Sequence, residues 1–231
     1  MTTASEFFEQ WTAYNLVLDH NYMFHGEIFR DAQRVIEAHY CDRPLTVLDL
    51  GCGSARHSVQ ALRGRTVARF TGYDLAEAAL VEAARNLAAL NCPIELKQCE
   101  LLDGLRSTAG RFDLIFCSFA LHHLAAADKA AFFREAFQRL NEDGMLLLVD
   151  VMREPDEDPA VYLERYCAWV RSDWKALSPG ALNLLCDHIR QNDVAETASD
   201  LRDMAAAGGF NRCVEINRFR WHHTWCLGQY R

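Results

Sequence analysis

Between residues 5 and 40 the apolar side chains recur every three or four positions: Phe7, Phe8, Trp11, Tyr14, Val17 and Leu18, then, after a break at His20-Asn21, Ile28, Phe29, Ala32, Val35 and Ile36. That spacing places them on one face of a helix, so residues 1–40 are expected to form a helical leader. At Leu45 the pattern changes. Short, almost continuous apolar runs begin at 46–50, 67–73, 94–98, 114–118 and 145–151, with longer stretches of helical character between them. Strands that are apolar on both faces belong in a parallel sheet covered by helices. Residues 76–90 are rich in Ala and Leu, and 127–140 runs from near Asp128 to the turn-forming Asn141-Glu142-Asp143-Gly144; both predict helices.

After Val151 the alternation stops for about forty residues, too long for an ordinary connection. Residues 158–174 and 178–192 read as two helices, the second with Ser178 as N-cap and Pro179 in its first turn, and they form an inserted cap over 152–195. Residues 196–207, closed by Gly208-Gly209, predict one more helix. Then 213–220 and 224–230 predict a hairpin turning around Trp221-His222-His223. The expected architecture is an α/β fold with a seven-stranded, mainly parallel sheet whose last strand is antiparallel. It forms one domain, with a leader at 1–40, a core at 45–151, the cap at 152–195, and the last helix and hairpin at 196–231.

Composition narrows the class. With 231 residues, half of them hydrophobic, the chain can bury a full core. No apolar run approaches the roughly 20 residues that span a bilayer, and the N-terminus lacks a basic start and an apolar h-region, so a cytoplasmic protein is expected. The nine cysteines are scattered and contain no Cys-x-x-Cys pair; reduced, packed cysteines are expected, and no metal site. A net charge of -8 disfavours a nucleic-acid partner.

The candidate chemistry begins where Val47-Leu48-Asp49-Leu50 enters Gly51-Cys52-Gly53, followed by small Ser54 and Ala55 and a helix from about His57. Glycine lets backbone approach a nucleotide-like ligand. A dinucleotide fingerprint needs glycine where Arg56 stands, which argues against NAD or FAD. The stretch Asp49-Leu50-Gly51-Cys52-Gly53-Ser54-Ala55 resembles instead the first motif of the class I S-adenosylmethionine-dependent methyltransferases, with a Rossmann-like sheet. The resemblance implies that Gly51, Cys52 and Gly53 line the methionine and ribose part of S-adenosylmethionine, with Asp49 near its α-amino group. Asp74, 21 positions past Gly53 at the end of the next strand with Leu75 beside it, is the expected acceptor for the ribose hydroxyls; the bland alternative is an Asp capping the helix from Ala76. Glu100 aligns with the family's adenine-binding acid and Leu101 with the residue packed on the ring, although Asp103 competes. Arg111 to Leu124 resembles the fourth motif, which puts Ser118 and Phe119 on the cofactor. Tyr14, Tyr22 and Met23 are candidates to close over it.

Methyl transfer from this cofactor is an in-line displacement at an activated sulfonium, giving S-adenosylhomocysteine (SAH), so positioning does much of the work. An O–H or C–H acceptor would gain from a base, and His123, in Leu121-His122-His123-Leu124, is the candidate; a structural role is the alternative. Tyr162, Tyr166, Trp169, Trp174, Trp221 and Trp225 read first as packing and second as an aromatic acceptor pocket. Arg56, Arg153, Arg165 and Arg171 read as solvated or as anion-binding. A small-molecule acceptor leads. The rivals are an RNA-modifying enzyme on the same fold, since residues 178–210 loosely resemble carboxy-S-adenosylmethionine synthases, and a non-catalytic cofactor-binding protein.

Overall fold

The sheet is built where the sequence is apolar on both faces. In β1 (Leu45–Leu50) the side chains of Leu45, Val47, Leu48 and Leu50 are fully buried, and each stabilises the fold by about 1.5–3 kcal/mol relative to exposure. The computed structural model describes residues 13–229; the expected helical residues 5–12 and the strand residue Tyr230 lie outside them. α1 covers residues 13–19 and α2 His25–Tyr40. Then follow α3 (Arg56–Ala61), β2 (Val67–Asp74), α4 (Glu77–Leu87), β3 (Ile94–Gln98), α5 (Leu101–Ser107), β4 (Phe112–Ser118), α6 (Ala126–Arg139) and β5 (Leu140–Arg153). The cap is α7 (Pro159–Asp173) and α8 (Pro179–Asn192), and the chain closes with β6 (Glu196–Thr197), α9 (Ala198–Ala207), β7 (Arg212–Phe219) and β8 (His222–Gly228).

The strand order is β3-β2-β1-β4-β5-β8-β7. β8 runs antiparallel to both its neighbours, and the pairs among the first five strands are parallel, as the alternation predicts. The two-residue β6 adds a parallel pairing to the end of β5. The order turns back beside β1, so the carboxyl ends of β1 and β4 diverge into a crevice, the place where open α/β sheets bind ligands. One core cluster lies on each face of the sheet, and a third, formed by Tyr162, Tyr166, Cys167, Val170, Trp174 and Cys186, joins the cap to Val17 and Val151.

The cap helices form for local reasons. Asp158 accepts from the amides of Ala160 and Val161 ahead of Pro159, and Ser178 accepts from Ala181 ahead of Pro179. Thr197 and Asp200 make a reciprocal capping box on α9.

One local expectation is refined and one corrected. The predicted turn at Asn141-Gly144 lies within the span of β5: Leu140 pairs with Phe112 and Met145 with Leu114, so four residues bulge out opposite Asp113, folded back so tightly that a Cβ on Gly144 would lie 3.0 Å from Asn141 N and O. That carboxylate explains the shape, because it accepts from Asn141, Arg43 and both Thr46 donors. In the hairpin only Arg220 and Trp221 turn; Arg220 has φ 57°, and His222 pairs with Phe219 and His223 with Arg218. Both histidines are therefore buried strand residues. Among the described residues no helix is long and apolar enough to cross a membrane.

Candidate active site

The turn after β1 is pinned from below and from the side. Gly51 and Cys52 both donate to the carbonyl of Tyr73 at 2.9 Å. Gly51 has φ +69°, and a Cβ there would lie 2.7 Å from the Cβ of Ala120; glycine is required by conformation and by space. Asp74, at the carboxyl end of β2, accepts from Gly53 N at 2.7 Å with one oxygen and from Ala76 N at 2.8 Å with the other. It therefore braces the turn and the residue before α4 without capping the helix, whose first turn has no side-chain cap, and it lines a cavity of about 790 Å³.

The cavity runs along the crevice. Gly51, Cys52, Gly53, Asp74, Leu75, Glu100, Leu101, Ser118, Phe119 and His123 all line it. Ser118 Oγ is buried without a hydrogen-bond partner, and a polar ligand would satisfy it. Glu100 caps α5, one oxygen accepting from Leu102 N and Asp103 N.

Two expected residues stand outside the wall. Asp49 is 1% exposed behind the turn, where Ser58 Oγ donates to it at 2.5 Å; burial raises its pKa to about 7. Tyr22 is not a lining residue: its ring stacks on Trp174 at 5.2 Å and its hydroxyl accepts from Ala176 N. Tyr14 and Met23 do line the cavity, and the Tyr14 hydroxyl lies 3.2 Å from where a Gly53 Cβ would be. Of the four arginines considered, only Arg56 lines it, paired with Asp19 at 2.6 Å. Arg153 is used up inside the cap junction, on Ala195 O, Glu157 O and Asp200.

The opposite wall holds residues that the motifs did not reveal. His25 and His57 stack at 4.6 Å and pack with Phe119 and Phe29. Burial keeps both rings neutral, taking His57 down to about 4. Further along are Tyr166, Trp174, His188 and Asp193 from the cap, facing His122 and His123. The aromatic stripe is thus core for the most part, with Tyr166 and Trp174 also reaching the cavity. His122 Nδ1 contacts Asp150 Oδ1 closely, and Asp150 also accepts from His122 N at 2.9 Å. Burial opposes charge on His122, yet Asp150 outweighs it and raises the ring pKa. His123 is lowered to about 4 by burial and by His122. The Asp193 carboxyl is raised by burial to about 6.

Comparison with known proteins adds to this geometry. A family model described as a methyltransferase domain matches residues 47–144, the segment from β1 into β5 that carries the glycine turn, Asp74, Glu100 and Ser118. Residues 47–144 are thus similar to a methyltransferase domain. The crevice has the chemistry to take S-adenosylmethionine: a cationic ligand bearing hydroxyls would meet glycine backbone, carboxylates and an unpaired serine there. A curated relative, the mitochondrial ubiquinone biosynthesis O-methyltransferase of Saccharomyces cerevisiae, is 31% identical over 129 residues, 55% of this chain and 40% of that protein; the chain spans about two fifths of that relative's length. Among solved structures, the magnesium protoporphyrin IX methyltransferase of Synechocystis with bound SAH is 17% identical, covering 97% of this chain and 93% of that one with a TM-score of 0.63. An O-methyltransferase family 2 protein of Planctomyces limnophilus in complex with apigenin gives the same TM-score at 17% identity, over 94% of this chain and 62% of that one. At these identities the structures share the methyltransferase fold.

Proposed function

We propose that this protein transfers the methyl group of S-adenosylmethionine to a hydroxyl of a small, largely apolar molecule. The observation that carries the reading is the continuity of one cavity: Gly51, Gly53, Asp74 and Ser118 stand in the same wall system as His122, His123, Tyr166 and Trp174. Its volume lies within the range of about 300–1,000 Å³ usual for small-molecule pockets. When bound, S-adenosylmethionine supplies an electrophilic methyl on a positively charged sulfur. The chain's own residues do the rest. Asp74 receives the ribose hydroxyls, Glu100 and Leu101 hold the adenine, and Gly51 to Gly53 with Ser118 and Phe119 fix the methionine portion. Asp49 contributes from behind the turn. Tyr166 and Trp174 give the acceptor an aromatic wall, and Phe119 stands between the two ends.

His123 is the acceptor-side residue for the hydroxyl. Its ring is neutral at neutral pH, so a lone pair is available to a hydroxyl proton. The charge of the wall favours a cationic cofactor over a polyanionic partner, because Asp74, Glu100, Asp103, Asp128 and Asp193 face Arg56 and Arg106. The acceptor classes are separated by assay: purified protein with methyl-labelled S-adenosylmethionine should label phenols and enols and leave RNA unlabelled. His123→Gln should lower kcat/KM for the hydroxyl acceptor at least about tenfold. Transfer to none of a broad panel of hydroxyl compounds, with cofactor bound, would overturn the assignment.

A further inference from the structure

The acceptor end carries a second constellation, made where the cap meets the core. His122 Nε2 lies 3.7 Å and His123 Nδ1 3.5 Å from the same oxygen, Asp193 Oδ1. That oxygen is hydrogen-bonded to nothing, although the Asp193 side chain is only 7% exposed and lines the cavity. Two ring nitrogens and a carboxylate oxygen thus converge on one point without bonding one another. The ligand atoms all lie within 4.8 Å of one another.

We infer that His122, His123 and Asp193 form a site for a divalent cation of the zinc type, open toward the acceptor. Bonds of about 2.1 Å at a tetrahedral angle separate neighbouring ligand atoms by about 3.4 Å, close to the two distances found. Two imidazoles and one carboxylate suit Zn²⁺ and its first-row neighbours better than Mg²⁺ or Ca²⁺, which take oxygen ligands. Three protein ligands leave a coordination position free, the arrangement of catalytic rather than structural zinc.

The surroundings hold the ligands in place. His122 gives its Nδ1 side to Asp150, leaving Nε2 for the ion, the carboxylate–histidine–metal pattern that fixes ring orientation. Asp193 ends α8, and the next residues are tied to the core. Val194 N donates to His122 O at 2.8 Å. The buried Lys129 ammonium donates to Val194 O and, at 2.9 Å, to Glu196. Arg153 donates to Ala195 O. The cap therefore delivers one ligand to a pair presented by the core.

This inference rests on the proposed hydroxyl acceptor. At the ion's open position the acceptor oxygen would bind, its O–H bond would break heterolytically, the electron pair would stay on oxygen, and the proton would pass to water. His123 would then act through the ion and not as a free base.

The test is metal binding itself. Full-length protein stripped with chelator is titrated with Co²⁺, followed by its d–d absorption, and with Zn²⁺ by competition. Wild type should bind one equivalent in a four- or five-coordinate spectrum, and Asp193→Asn and His123→Gln should each weaken binding about tenfold to hundredfold while binding SAH as wild type does. Binding that survives both substitutions belongs to cysteines and overturns the site, as does a lack of Co²⁺ absorption in folded wild type. Methyl transfer to a hydroxyl by metal-free protein would also overturn it and leave the proposed function standing. A metal-loaded protein that labels no hydroxyl would do the reverse.

Discussion

The two ends of the cavity are made in different ways. At the cofactor end the groups sit on consecutive strand ends of the sheet: Gly51 and Gly53 after β1, Asp74 closing β2, Glu100 after β3, Ser118 closing β4. Each is positioned by its immediate neighbours, and on the proposed function much of the recognition would come from backbone. At the acceptor end His122 and His123 come from the core, Tyr166, Trp174, His188 and Asp193 from the cap, and His25 from α2. Their meeting depends on how separate elements pack, and the cap contributes little to the sheet itself. The first end is therefore fixed by the fold, while the second can change without disturbing it. That separation is why one sheet can serve many acceptors.

The comparison can be broken first at the turn. Gly51→Val would place a β-branched side chain at φ +69°, with its Cβ against Ala120. Strain of about 1–2 kcal/mol plus backbone displacement should cost at least about hundredfold in SAH affinity by calorimetry. Affinity within threefold of wild type would mean that the turn is not the cofactor cradle.

A smaller effect should appear on the other side. Leu185 lines the acceptor end and a neighbouring apolar cavity of about 220 Å³ bounded by Val17, Met23 and Leu184. Leu185→Trp should raise the acceptor KM about tenfold by filling that space and leave SAH affinity within about twofold. If both constants move together, the two ends are not separable.

The smallest effect is on stability and pH. The buried Asp49 carboxyl titrates near 7 in the fold and near 3.8 when exposed. Between these values the folded state binds the extra proton, so this group favours folding below about pH 4 and loses that contribution as pH rises through about 7. Ligand-free protein should lose about 2–4 kcal/mol from this source between pH 4 and pH 8, read by urea unfolding. Asp49→Asn should flatten that slope and make the ligand-free variant the more stable of the two at pH 8. An unchanged slope would show that Asp49 stays ionised in the folded state.

What could be read from the sequence follows the same division. Asp74 is legible because its place, a strand end 21 positions past Gly53, is set by one strand–helix–strand unit. The cap helices are legible because Asp158-Pro159 and Ser178-Pro179 start them locally. Asp193 was invisible: nothing near it in the chain signals a role, and it reaches His122 only because Val194 bonds across about seventy residues. Tyr22 misled for the same reason, since its stacking partner Trp174 lies 152 positions away. His222 and His223 read as a turn because they stand between two stretches of strand character, yet Arg220 takes the left-handed conformation and returns both to the strand.

The central claim is that Asp74 belongs to the cofactor and His123 to the acceptor, and one calorimetric comparison tests it. SAH titrated into wild type, Asp74→Ala and His123→Gln should bind wild type one to one. Loss of two charge-assisted hydrogen-bonding roles should weaken Asp74→Ala about hundredfold, with His123→Gln within about twofold of wild type. Equal affinity in wild type and Asp74→Ala, or a matching loss in His123→Gln, would contradict the account.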